Sequence, residues 1–419
     1  MSVPQSGMIN AYQIGGFFMT PETEQLLRRW YMGQLIVLFG AAFIQLFTFD
    51  GGVFFPVGGM QLLIWGLLAW WPAAEEDQAQ WWRLRHVNYY VQTVLQFTLL
   101  PILLANLVAW LSQLSWLDEQ GLIAVGMAYL MVAFVPVAVV VTKPIESVIG
   151  RIAVLITAIF SGVVSAQQTF LILPNLQAPS VFEMVSDTGI LGALGFVIAV
   201  GVLLRGWGLT GPSWRFNRQA QTSLVVGLIV VGTAFSLWNA FSAGGSWATT
   251  FTHWDFQLRS ATWKMFLSGL EPGIAEEWLY RFAVLTLLLQ AFRHRRHQLD
   301  LAVWLSGGLF GMWHITNVFA GQPLSATVEQ IIFAATLGWF LASTYLYSGS
   351  ILLPMVIHAA IDILSMMASG SQTMVKPDAF EWQTIGATVI IFVGITIYFL
   401  TGSRRQVIQA HVNQRLSVQ

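Results

Sequence analysis

Long apolar runs separated by short polar stretches recur along the whole chain. A helix needs roughly 20 apolar residues to cross the hydrocarbon of a bilayer. By that measure the pattern predicts about twelve spans. They fall near Tyr31–Phe49, Val53–Trp71, Tyr89–Leu111, Leu122–Val141, Val148–Leu171, Ile190–Leu204, Leu224–Phe241, Met265–Phe292, Leu301–Phe319, Ile331–Tyr347, Leu352–Met367 and Ile385–Leu400. The sixth is short, and the segment ahead of the eighth reads as a surface helix. Pro72 to Gln80, Pro174 to Asp187 and Ala243 to His253 read as loops. No internal repeat is evident.

The basic residues give this series a direction. Arg28 and Arg29 precede the first span, and Arg83 and Arg85 follow the second. Lys143 and Arg151 flank the connection after the fourth. Arg205, Arg215 and Arg218 follow the sixth, Arg293, Arg295 and Arg296 the eighth, and Arg404, Arg405 and Arg415 the last. All fall on one side, and the other holds Arg259, Lys264 and Lys376. The positive-inside rule then places both termini in the cytoplasm. The run Arg293-His294-Arg295-Arg296-His297 reads as an orientation signal against anionic lipid. Trp30, Trp70, Trp71, Trp81 and Trp82 stand at span ends, where aromatic belts form. His86, His253 and His411 read as polar loop residues. The polar opening stretch lacks the basic and apolar regions of a cleaved signal, so the first span is expected to be retained.

Composition sharpens the class. The 419 residues are 56% hydrophobic and 9% charged, against about 25% charged in a soluble domain. The expected fold class is all-α: a polytopic transmembrane bundle embedded in lipid. A net charge of −1 offers no basic surface for nucleic acid. The absence of cysteine excludes disulfides and thiol catalysis.

Three late segments carry ionisable groups that hydrocarbon penalises, and such groups default to function. The first is Pro272-Gly273-Ile274-Ala275-Glu276-Glu277-Trp278-Leu279-Tyr280-Arg281. Arg281 lies four residues beyond Glu277, on the same helical face, and reads as its ion-pair partner. Glu276 points about 100° away and is free for another task. Pro272 and Gly273 are expected to open or kink the helix just before the glutamates. In the second segment Gly307 and Gly311 form a GxxxG pair for close helix packing, and His314 and Asn317 continue that face into the bundle. In the third, His358 and Asp362 are four apart and stack on one face.

Two chemistries suit this set. In one, Glu276 acts as general base, His314 helps to hold and deprotonate a water, and His358 donates to the oxyanion of an attacked peptide carbonyl. In the other, Glu276, His314, His358 and Asp362 are candidate ligands of one divalent metal such as zinc, which lowers the pKa of bound water. Residue identity leaves both open, so the cofactor is none or one divalent metal. Two readings outside proteolysis also fit buried Glu, Arg and His: a proton-coupled secondary transporter, and a non-catalytic membrane scaffold or immunity protein.

Glu276, Glu277 and Arg281, then Phe310 and His314, then His358 and Asp362 resemble the motifs Glu-Glu-x-x-x-Arg, Phe-x-x-x-His and His-x-x-x-Asn/Asp. These belong to the CPBP family, the CAAX proteases and bacteriocin-processing enzymes also called Abi. The resemblance covers roughly Trp263 to Met367. It implies an intramembrane endopeptidase with Glu276 as catalytic glutamate, His314 positioning water, and His358 and Asp362 at the oxyanion site. Asn at the last position can donate to an oxyanion, whereas Asp362 donates only when protonated. An ionised Asp362 would instead orient His358 or bind a metal.

The implied organisation is a cytoplasmic segment 1–29, accessory transmembrane helices 30–245, a protease core 246–402 and a cytoplasmic tail 403–419. The expected partners are the bilayer and a membrane-associated protein or peptide substrate. The expected setting is a bacterial plasma membrane. There pheromones, bacteriocin precursors or membrane-anchored regulators are more natural substrates than prenylated tails.

Overall fold

A computed structural model describes residues 19–48, 79–172 and 180–417 of the chain. The expected span Val53–Trp71 lies outside the described residues. Within them the fold is all-α, with no strand and one isolated bridge between Ser242 and Trp254.

The accessory part comprises α1 (Pro21–Thr48), α2 (Ala79–Leu111), α3 (Glu119–Thr142), α4 (Val148–Val164), α5 (Ala166–Ile172), α6 (Ser180–Asp187), α7 (Ile190–Gly206) and α8 (Thr222–Phe241). A surface helix α9 (Trp247–Thr252) follows, in the segment where one was expected. The core comprises α10 (Trp263–Glu277), a π-helical stretch Trp278–Val284, α11 (Leu285–Ala291), α12 (Gln298–Trp313) with a 3-10 turn His314–Val318, α13 (Leu324–Ser348), α14 (Leu352–Ser369) and α15 (Ala379–Phe399). The tail is α16 (Gly402–Ser417).

Local chemistry sets the ends. The Thr262 hydroxyl accepts from the Met265 amide to start α10, and Asp378 and Glu381 form a reciprocal capping box at the start of α15. Gly349 and Gly370, at φ of 78° and 72°, stop α13 and α14 in the left-handed conformation.

Six helices among the described residues are long and apolar enough to cross a membrane, or up to eight if each bent pair α4–α5 and α6–α7 is one span. The expected twelve is not confirmed. The α10–α11 segment carries Lys264, Glu271, Glu276, Glu277 and Arg281, too much charge for an apolar span. At 16 residues, α12 rises about 24 Å, short of the roughly 30 Å hydrocarbon core. The short sixth span is explained by its bend: α6 meets α7 at 56°, across Gly189.

Close packing brings the three motif segments together. A Cβ on Gly273 would lie 2.7 Å from the Ala359 Cβ, and one on Gly269 would lie 2.5 Å from the Ile363 nitrogen. Only glycine therefore lets α10 lie this close to α14. Gly311 allows the same approach of α12 to Ala335 of α13, and Gly307 to Trp339. The expected GxxxG contact is present, and its partner is α13. The accessory helices join this core through Phe160, whose ring meets Trp313 at 5.5 Å and Phe196 at 5.6 Å. Trp30 donates to the Tyr129 hydroxyl between α1 and α3.

Basic residues gather at one end of the bundle. There Lys143 pairs with Glu24, the Arg151 guanidinium lies over Trp207, and Arg405 makes two bonds to Asp300 at 2.7 and 2.9 Å. Neither His86 nor His411 is a loop residue. His86 sits in α2, and His411 in α16, whose Ile408, Val412 and Leu416 are buried.

Candidate active site

Glu277 and Arg281 form the innermost layer, and both side chains are fully buried. Their charged atoms approach to 3.0 Å, as the four-residue spacing predicts, although the N–H is not aimed well enough to complete a hydrogen bond. The Arg281 guanidinium lies over the Phe310 ring, 4.6 Å from its centroid. The π-helical stretch starts directly after Glu277 and contains Arg281. Such insertions are common at functional sites. The helix does not open at Pro272 and Gly273, since α10 runs through both. The backbone irregularity follows the glutamates instead, and Ser306 of α12 bonds to its Tyr280 carbonyl at 2.8 Å.

Glu277 also reaches α14. The His358 Nδ1–H donates to Glu277 Oε1 at 2.9 Å. The opposite ring nitrogen, Nε2, faces two further carboxylates, Asp362 at 3.4 Å and Glu276 at 3.8 Å. Glu276 and Glu277 thus flank one imidazole from opposite edges. The Glu276 and Asp362 side chains retain 13% and 25% of their exposure, so a small molecule can touch both, while Glu277 and Arg281 are sealed.

His314 joins this group through Phe310. Its ring meets the Phe310 ring at 5.1 Å, and Phe310 meets His358 at 5.6 Å. The His314 Nδ1–H donates to the Phe310 carbonyl at 3.0 Å, which leaves Nε2 as an acceptor in the neutral ring. Asn317, expected on the same face, donates instead to Gln330 of α13. The structure therefore unites Glu276, Glu277, Arg281, His358 and Asp362 by direct contact and places His314 one ring away.

Sequence reasoning passed over Glu271. This carboxylate lies beside Gly189 at the amino end of α7, where a Cβ would come within 3.3 Å of its Cγ. Its Oε1 is buried without a hydrogen bond. The available signal was one more acid five residues before Glu276 in an apolar helix.

Among the described residues no group of three His, Asp or Glu side chains is arranged to hold a metal ion as it stands. Glu277 holds His358 Nδ1 and the Phe310 carbonyl holds His314 Nδ1, so each ring keeps its Nε2.

Residues 258–364 match the family model described as type II CAAX prenyl endopeptidase Rce1-like. The match spans α10 to most of α14 and takes in all three motifs, so this segment is similar to that family. The matched family is one of peptidases, and together with the apolar helices it marks an integral membrane protein. No curated protein and no solved structure matches the chain.

Proposed function

We propose that the protein is an intramembrane endopeptidase that hydrolyses a peptide bond of a membrane-associated protein or peptide. The observation that carries this reading is the convergence of Glu276, Asp362 and His358 at a part-exposed point, backed by the sealed Glu277–Arg281 pair. Such a layout separates a reactive rim from the charges that orient it.

In this reading Glu276 is the general base. It removes a proton from a water that His314 Nε2 also holds, and the water oxygen attacks the carbonyl carbon. Negative charge moves to the carbonyl oxygen. His358 donates to that oxygen through Nε2–H when its ring holds both protons. Glu277 accepts from Nδ1–H, which fixes the ring so that Nε2 faces the reaction. Arg281 pairs with the buried Glu277. Asp362 donates to the oxyanion when protonated and steadies His358 when ionised. As the C–N bond breaks, the proton on Glu276 passes to the leaving amine. The proposed steps use no metal.

The test compares membrane N-terminal proteomes from cells expressing wild type or Glu276→Gln at matched levels. New N-termini confined to wild type are expected. Identical maps, or unchanged cutting by Glu276→Gln of a substrate reconstituted with purified protein, would remove Glu276 from this role.

A further inference from the structure

Along two of the helices that carry the site, burial changes near the level of Glu277 and His358. From Glu277 to Leu289 every residue is buried. On α14 the residues from Ile351 to Ile361 are buried except for Leu352, Val356 and Ala360, whereas Asp362 to Met367 are all half-buried. On α12 the residues from His314 to Phe319 are half-buried or exposed. On α10 exposure is retained along most of Trp263 to Glu276. The open ends of α10 and α14 lie on one face, as the Ser260 amide bonding to the Met367 carbonyl and Gln372 bonding to Ser268 show.

The opposite face is shut. The segment between α7 and α8 is laced to the turn between α13 and α14. The Asn217 amide donates to the Ser348 carbonyl at 2.6 Å, and the Ile351 amide donates to the Ser213 carbonyl at 2.9 Å. Ser350 bonds to the Trp214 carbonyl, and the Trp214 ring reaches Trp278, next to Glu277. Beneath this strap α16 docks its apolar residues, and Arg415 bonds to the buried Tyr345. This shut face is also the one that gathers the basic residues, which the positive-inside rule assigns to the cytoplasm. Lys264 and Arg259 lie at the open face, and Glu276 is twelve residues beyond Lys264, about 18 Å along the helix.

We propose that substrate enters from the open, extracytoplasmic face, so that the scissile segment is an apolar peptide exposed outside the cell or in the outer leaflet, not a tail delivered from the cytoplasm. The proposal rests on the peptidase reading for its substrate and on the fold alone for its direction. Met265, Phe266, Leu364, Met366 and Met367 are half-buried on the approach. Flexible methionines in such a path suit apolar side chains of varied shape.

The chain has no cysteine, so single thiols report without background. Met366→Cys probes the approach, with Leu364→Cys as a second position should the first not accumulate. Lys376→Cys marks the open face and Arg295→Cys the basic face. Intact spheroplasts and inverted vesicles are treated with a membrane-impermeant maleimide. The expected result is that Met366→Cys reacts in spheroplasts together with Lys376→Cys, several-fold faster than in inverted vesicles, where Arg295→Cys reacts. Reaction of Met366→Cys with the Arg295→Cys pattern, or from neither side, would overturn the proposal. Labelling needs no catalysis, so its failure is distinct from a failure of the Glu276→Gln comparison.

Discussion

Replacing Arg281 by methionine tests the inner layer of the site most directly. The change keeps most of the side-chain volume and removes the charge, leaving Glu277 in a place with no solvent contact. At 3.0 Å the lost attraction is about 5 kcal/mol with an effective dielectric of about 20. Removing one partner of a buried pair costs about 3–5 kcal/mol in measured cases. His358 still donates to Glu277, so the lower end, about 3 kcal/mol, is expected. That is roughly a hundredfold in the folding equilibrium. Reversible unfolding in mixed micelles reads it as a lower denaturant midpoint with unchanged slope. The double variant Glu277→Gln with Arg281→Met carries no unpaired charge and should recover most of the loss, since neutral replacements of buried pairs are often tolerated. Both variants should lose activity, so stability and catalysis separate. A single variant as stable as wild type, or a double variant as unstable as the single, would refute the argument that charge pairing governs this layer.

Other outcomes follow from the same geometry. Gly273→Val should push α10 off α14, because a Cβ already meets Ala359 and the Met355 carbonyl within 3 Å; a loss of about 1–3 kcal/mol should appear as a lower midpoint. His314→Gln should cut turnover at least tenfold with an unchanged midpoint, because the His314 ring bonds to Phe310 one turn back on its own helix and ties to no other helix among the described residues by a hydrogen bond; a parallel loss of stability would contradict this. Dialysis against a chelator should leave activity intact, and elemental analysis should find no stoichiometric metal. On α16, burial and the neighbouring Arg415 push the His411 imidazole down to about 4. The undocked helix takes up a proton near pH 6.5 while the docked one does not, so docking weakens as pH falls from about 6.5 towards 4. Protection factors in α16, with exchange rates corrected for their intrinsic pH dependence, should therefore fall at pH 5 relative to pH 7.5, and His411→Phe should flatten that dependence.

Much of the site was legible because helical spacing is a local rule. The pairs Glu277–Arg281 and His358–Asp362 follow from a four-residue repeat, and both contacts are present. The glycines Gly307 and Gly311 also announce a close contact, yet nothing local names its partner as α13. The helix runs unopened through Pro272, and its irregularity lies at Trp278–Val284, where no local signal placed it. Glu271 was passed over because its neighbour is Gly189, far away in the sequence.

Sequence by itself determined the solvent, the secondary structure and the chemical inventory, since hydrophobicity, charge and helical periodicity act over a few residues. It also marked one end of the bundle as basic. Tertiary structure alone decided that Glu276 and Glu277 flank a single imidazole, that Phe310 stands between His314 and the rest, and that the site is shut towards the basic end. Those facts depend on how distant helices pack, where shape complementarity between side chains, and no local propensity, selects the arrangement.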